Sequence, residues 1–357
     1  VSSTERMVDS HLLRRSVSNL FSALGLAPAD ADIVADGLVE ADEEGISSHG
    51  IMLLPLYVDR IRGGSVSLET EAVVVSDNHA IAVLDAGNML GQLSARQSVA
   101  LAVSKAKDFG LGCVVVRNGF HFGTAGRHAL QMTEAGCIGI VMCNTRPLLP
   151  APGGAKALVG NNPIAIAMPN IDGGQPVVAD MALSESAMGK IRMAEAAGQK
   201  IPDGWATNSD GVPTNDPAAA IKGMLLPAAG PKGFGLAFMI ELLSGGLASG
   251  AVSEQVRPLY GDSGEPYACA HFFLAIDAAH FRDLSEFKET VDAMVQRVAN
   301  SPAAPGSERT MAPGEPAWRT KTGRPGKCSL SASAYDALVR LSAELGLGDI
   351  DLSITNT

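Results

Sequence analysis

The sequence predicts an α/β protein, and three observations carry that expectation. Helical periodicity fills the chain up to residue 70, strand-like apolar runs begin at residue 72, and from there helical and strand-like segments alternate.

Leu13, Val17, Leu20 and Leu24 recur at helical steps and make one apolar face, which Gly25 can end. A second helix is expected after Pro28 with Ile33, Val34 and Leu38, and a short third one carries Leu54, Tyr57 and Ile61. Residues 72–75 and 81–84 read as a hairpin turning at Ser76-Asp77-Asn78. A helix over 94–109 leads to an apolar run at 113–116, and a helix from Thr124 to Gly136 precedes a strand over 138–143. Residues 146–186 are rich in proline and glycine and read as site-forming loops. Further on, the pattern predicts a buried amphipathic helix between Gly233 and Gly250 and a strand over 272–276. A helix with Leu284, Phe287, Val291, Met294 and Val298 follows, and a last one over 331–345. The proline- and glycine-rich stretch 301–326 is too long for a turn, so it is either disordered or covers something.

Composition narrows the function. A chain of 357 residues with 46% hydrophobic content can bury a large core. With 27 basic and 38 acidic side chains the formal charge is −11, which repels phosphate backbones and anionic headgroups, so neither nucleic acid nor membrane is an expected partner. Cys113, Cys137, Cys143, Cys269 and Cys328 are odd in number, lack any CxxC spacing and mostly sit in apolar runs, as reduced buried thiols do. Residues 1–13 are polar and charged, without the apolar core of a secretory signal, so a cytoplasmic protein is expected.

No G-x-G-x-x-G follows a strand and no phosphate-binding G-x-x-x-x-G-K-[ST] occurs. What stands out is a pair of glycine-bounded histidines, Ser47-Ser48-His49-Gly50 and Gly119-Phe120-His121-Phe122-Gly123. Histidine suits proton transfer near neutrality, although each one alone also reads as an ordinary loop residue. Neither has a second ligand at helical spacing, and Asp42, Glu43 and Glu44 read as a solvated edge, so no metal site is expected. A Ser48–His49 hydrolase lacks the G-x-S-x-G elbow, and neighbours in sequence rarely point at each other.

At these residues the chain resembles the malate/L-lactate dehydrogenase type of oxidoreductase, a family separate from the Rossmann enzymes. Ordered blocks carry the likeness: Ser48-His49-Gly50 with Pro55 and Tyr57, Asn118 with His121-Phe122-Gly123, Gly160-Asn161-Asn162-Pro163, Asp180-Met181-Ala182 and Gly189-Lys190. It continues through Pro202-Asp203-Gly204-Trp205, Pro213-Thr214-Asn215-Asp216-Pro217, Leu226-Pro227, Lys232-Gly233-Phe234-Gly235-Leu236 and Pro313-Gly314-Glu315.

The resemblance implies a fold of α+β character: a helical domain from both termini (1–70 with 327–357) and a cofactor domain (71–326) with a mainly antiparallel sheet. It implies a homodimer using NAD or NADP, NAD being the first expectation, on a small 2-hydroxy or 2-oxo acid. The proton-transfer role falls to His49 with Ser48 beside it, or to His121, which is placed at the nicotinamide end. Cofactor contacts fall on His121, Phe122, Gly123, Thr124, Ala125, Thr145, Asp180, Met181, Ala182, Lys232, Met311, Ala312, Pro313, Gly314 and Glu315, and a helix start at Thr124 offers backbone N–H groups to a pyrophosphate.

Three departures touch the substrate side: Glu44 stands where relatives carry arginine, Leu53 replaces an arginine that would pair with a carboxylate, and Asn161 replaces threonine. Arg146 and Lys190 are the cations left to serve. Lys190 also departs from the acidic residue of relatives that reduce a cyclic imino acid, the alternative substrate. A dinucleotide-binding sensor without turnover is the alternative of another class.

Overall fold

The computed structural model describes residues 5–353. Strand β1 (Arg6–Asp9) leads into α1 (Ser10–Ala23) and α2 (Pro28–Glu43). Asp9 caps α1 by accepting the His11 and Leu12 N–H groups, each at 2.9 Å, donors that the first turn cannot satisfy internally. The expected face of α1 is buried: Leu13, Val17 and Leu20 lie with Phe21 in the core, each side chain contributing roughly 1.5–3 kcal/mol by leaving water. Two 3₁₀ turns, Ser47–His49 and Ile51–Leu53, then connect to α3 (Leu54–Arg62).

The hairpin is present as β2 (Val73–Asn78) and β3 (Ile81–Asp85), but it turns at His79 and Ala80. His79 takes a φ of 49°, so Ser76, Asp77 and Asn78 remain in the strand and the turn falls after them. Helix α4 (Gly91–Phe109), β4 (Leu111–Gly119), α5 (Ala125–Thr133) and β5 (Cys137–Cys143) follow as expected.

The stretch 146–186 departs from the expectation of loops alone. It contains β6 (Leu149–Pro150), β7 (Ala157–Val159), β8 (Ile164–Met168) and β9 (Val177–Met181). In β8, Ala165 and Ala167 on one face are fully buried and Ile164, Ile166 and Met168 on the other are half-buried, so every position is apolar and the sequence gives no alternation to read.

Beyond come α6 (Met188–Ala196), β10 (Ala206–Thr207), β11 (Pro213–Thr214), α7 (Pro217–Lys222), β12 (Met224–Leu225) and α8 (Pro231–Glu241). Helix α8 stops short of Gly250 because a π turn, Leu242–Gly246, follows it, and Leu236, Phe238, Met239 and Leu242 are exposed rather than buried. Strand β13 (Cys269–Asp277), α9 (Leu284–Ala299), α10 (Glu315–Thr322), β14 (Lys327–Leu330) and α11 (Ala332–Glu344) complete the chain. Helix α10 lies inside the unassigned stretch 301–326, which therefore covers something, as its length suggested.

Seven strands form the main sheet in the order β2-β3-β4-β13-β5-β8-β9, and every neighbouring pair is antiparallel except β3–β4. The late strand β13 enters the middle, where its pleat serves two cores. Phe272, opposite Val115 and Met142, faces a core shared with Leu149, Ile191, Leu225 and Ile240. Phe273, opposite Val114 and Val141, faces the core that continues into α1, α2 and α11. Helices α4 and α5 approach the sheet closely because Gly112 and Gly139 lie beneath them; a Cβ there would meet the Ala102 and Ala129 carbonyls at 1.9 and 2.3 Å. Pairing of β1 with β14 brings the two ends of the chain together and lets α11 pack on α3 and α1. No described helix is long and apolar enough to cross a membrane. Cys137, Cys143, Cys269 and Cys328 are buried free thiols, while Cys113 is only half-buried.

Candidate active site

The 3₁₀ turn after α2 and the segment after β4 bring His49 and His121 face to face, ring centroids 5.3 Å apart and planes 31° apart. Ser48 Oγ lies 3.0 Å from His49 Nδ1, so these sequence neighbours do meet; the tight turn points both side chains the same way. Burial holds His49 below its usual imidazole range. His121 is held well below it, first by burial and then by the nearby His49, His271 and His128. Both rings are therefore neutral at pH 7.

Behind His121 lies a wall that sequence reading did not anticipate. Phe122 stacks on His128 at 5.0 Å and lies 4.4 Å from His271, and His128 Nε2 bonds the Phe122 carbonyl at 2.8 Å. Tyr57, noted in the sequence only as a helix-face residue and part of the family likeness, puts its hydroxyl 2.8 Å from His121 Nδ1. Gln92 donates to that hydroxyl at 3.0 Å. No motif marks Gln92, and none links Tyr57 to His121, because these partners are remote in sequence.

The turn carrying His49 is tied down from below by Asp42. Its carboxylate accepts the Ile51 N–H at 2.8 Å and lies where a Cβ on Gly50 would be, at 2.4 Å. The expected solvated edge is thus a misreading: Asp42 and Glu43 are 5% and 7% exposed, since α2 packs that face inward, and only Glu44 is half-open. Burial pushes the Asp42 carboxyl up to about 7, against the Ile51 N–H that lowers it.

From His121 the chain runs through Gly123 to Thr124 and Ala125 at the start of α5, and there a cleft of about 580 Å³ opens. Thr124, Gly126, Val178, Asp180, Gly314 and Trp318 line it, so α10 is what the 301–326 excursion lays over it. Thr124 makes no side-chain cap of α5; instead Asp180 reaches over from β9 and accepts the Gly126 N–H at 2.7 Å. Burial raises the Asp180 carboxyl, and this hydrogen bond partly opposes it. The segment from Met311 to Glu315 docks on β9 through the bond from Val178 N–H to the Pro313 carbonyl. Within it Met311 is exposed and Ala312 buried, while the buried Glu315 carboxylate is taken up by Arg309 at 2.6 Å and the Ala312 N–H at 3.1 Å.

Thr145 and Asn161 meet, the threonine hydroxyl donating to the Asn161 side chain at 3.0 Å, and the Asn161 carbonyl accepts the Leu183 N–H just after Met181 and Ala182. A buried polar frame holds these loops. Glu241 accepts from Asn144 at 3.0 Å, Asn162 at 2.8 Å and the Ser253 N–H at 2.9 Å; Asn162 in turn accepts the Thr145 N–H at 3.0 Å. Arg146, Lys190 and Lys232 are exposed and make no ion pair among the described residues, and none bonds the histidine pair. Leu53, at the position of the missing arginine, is 1% exposed and belongs to the core. No group of residues able to hold a metal ion occurs among those described.

A chain with paired neutral histidines and no glycine fingerprint can handle protons without being a Rossmann enzyme. Comparison with known proteins names its kind: the chain belongs to the malate/L-lactate dehydrogenase family, which it matches over residues 8–337. It is 39% identical to a malate dehydrogenase of Pyrococcus horikoshii over 88% of this chain and 90% of that one. It is 33% identical to a ureidoglycolate dehydrogenase (NAD(+)) of Escherichia coli over 86% and 87% of the two chains. The solved structure of sulfolactate dehydrogenase from Methanocaldococcus jannaschii superposes with a TM-score of 0.90 at 35% identity, covering 96% of this chain and 98% of the other.

Proposed function

We propose that this dehydrogenase moves a hydride between a nicotinamide dinucleotide and a small 2-hydroxy acid or its 2-oxo partner, with His49 handling the hydroxyl proton. The observation that carries the reading is the neutral histidine pair, 5.3 Å apart, each ring three residues along the chain from a residue, Ile46 or Thr124, that lines the cleft where the resemblance implies the cofactor.

The residues present fit such a cofactor. Ile46, Leu130, Val178 and Trp318 give the cleft an apolar wall suited to a flat ring, and Asp180 stands where ribose hydroxyls can donate. At the α5 N-terminus Asp180 already takes the Gly126 N–H, so phosphates are proposed to meet the other first-turn N–H groups and the exposed Lys232, which lies outside the lining of this cleft. When bound, the nicotinamide supplies or takes the hydride.

The chain's own residues do the rest. In oxidation neutral His49 accepts the hydroxyl proton through the nitrogen that Ser48 does not contact; in reduction the imidazolium returns it. Burial favours the neutral base, and acid/base transfer of this kind contributes roughly 10²–10⁴-fold. Asp42 holds the His49 turn, and the Glu241 frame, through Asn162, holds Thr145 on the cofactor side and its partner Asn161 on the substrate side. Leu53 brings no charge, so Arg146 and Lys190 are the cations proposed to attract the substrate carboxylate. The apolar strip Leu236, Phe238, Met239, Leu242, Leu243 and Leu247, exposed along α8 and its π turn, supports a homodimer formed through that face.

The test follows nicotinamide absorbance with NADH and NADPH in turn against a panel of 2-oxo acids and one cyclic imino acid. Oxidation with an oxo acid is expected, and His49→Ala is expected to lower turnover by at least about 100-fold with little change in cofactor affinity. Turnover with the imine alone, or full turnover in the variant, would refute the reading.

A further inference from the structure

The hydroxyl of Tyr57 has three neighbours and one proton. It lies 2.8 Å from His121 Nδ1, 3.1 Å from the His121 carbonyl and 3.0 Å from Gln92 Nε2. Tyr57 is fully buried and Gln92 is 2% exposed, so the phenol is shielded from bulk solvent. The His121 carbonyl can only accept and competes with Nδ1 for the Tyr57 proton, but the Gly123 N–H, which can only donate, is aimed at Nδ1 from 3.4 Å and favours a chain in which Tyr57 donates to Nδ1. A proton on Nδ1 would confront that N–H, whereas a bare Nδ1 accepts from both Gly123 and Tyr57. The Gln92 amide completes the order by donating to the phenol oxygen. With the amide turned over, its oxygen would claim the Tyr57 proton and force a proton onto Nδ1, against Gly123.

We propose that Tyr57 and Gln92 are positioning residues that hold His121 as the tautomer protonated on Nε2, so that it offers the substrate's carbonyl oxygen a hydrogen-bond donor and leaves proton transfer to His49. The assignment of the two roles rests on the function proposed above; the tautomer does not. Nε2 is the ring nitrogen opposite this chain of donors, and it has no protein partner among the described residues. The two similar histidines differ in their wiring. Among the described residues the His49 ring hydrogen-bonds the Ser48 hydroxyl alone, which can donate or accept, so its ring is free to gain and lose a proton. His121 is locked by donors on one side. A donor fixed in place before the reaction aids charge development on a carbonyl oxygen, because it need not reorganise.

The test is nuclear magnetic resonance of the whole protein labelled with ¹⁵N in its histidine rings, the His121 signals assigned by their loss in His121→Gln. The wild type is expected to carry the proton on Nε2. Tyr57→Phe, which keeps the ring packed against Phe21 and Phe120, should release the bias toward that tautomer and lower turnover about tenfold, the scale of one lost hydrogen bond, with cofactor affinity unchanged. Gln92→Leu frees the phenol oxygen to accept from Nδ1 and should weaken the same bias. A wild-type proton on Nδ1, or an unaltered tautomer in Tyr57→Phe, overturns the inference. A shifted tautomer with full turnover overturns its link to catalysis. If instead the wild type shows no turnover on any oxo acid, the functional reading fails while the tautomer measurement still stands.

Discussion

Replacing Asp42 by asparagine should stabilise the protein, and by an amount that depends on pH. The carboxyl is 5% exposed, has one hydrogen-bond donor, Ile51 N–H, and stays protonated up to about 7 instead of the 3.8 of a free side chain. Between those two values the folded protein holds a proton that the unfolded chain has released. Stability therefore falls as pH rises across that window and levels off above it. Three units correspond to about 4 kcal/mol at 1.36 kcal/mol per unit, an order-of-magnitude figure. Asparagine keeps an oxygen for Ile51 and cannot ionise, so it escapes this penalty.

Urea unfolding of the wild type and Asp42→Asn at pH 4 and at pH 8 measures the difference directly, and groups common to both proteins cancel. The variant's advantage should be larger at pH 8 by roughly 4 kcal/mol. An advantage that is the same at both pH values would mean that Asp42 is already ionised in the folded protein, and the account of its burial would be wrong.

Other perturbations reach the remaining parts of the structure. Because burial lowers the His49 imidazole, the neutral base persists on acidification, and the acid limb of kcat/KM for hydroxy-acid oxidation should lie below pH 6.5; a limb at or above that value would contradict the assignment. Glu241→Ala orphans the Ser253 N–H and takes one of two acceptors from each of the Asn144 and Asn162 amides, which keep the Ala251 and Ala237 carbonyls; it should cost about 3 kcal/mol in urea unfolding, whereas a cost below about 1 kcal/mol would show that the frame bears little weight. Leu242→Glu puts a charge in the exposed apolar strip and should convert a dimer to a monomer in sedimentation; an unchanged dimer would place the interface elsewhere.

Much of this molecule was legible because it depends on near neighbours. The helical steps of Leu13, Val17 and Leu20 mark α1, whose geometry stacks residues three and four apart whatever surrounds it. The hairpin was legible for the same reason, though the residue at which it turns was not. The two glycine-bounded histidines stood out, and the ordered motifs around them pointed to the family.

Tertiary structure decided what depends on distant partners. No local pattern says that β13 slips between β4 and β5, because an apolar strand suits any central position. Asp42 and Glu43 look solvated until α2 packs against its neighbours and closes over them. That Tyr57, Gln92 and Gly123 converge on one ring nitrogen follows from three elements meeting in space. Burial and hydrogen-bond direction set the protonation of a histidine, and both belong to the folded chain rather than to the residue.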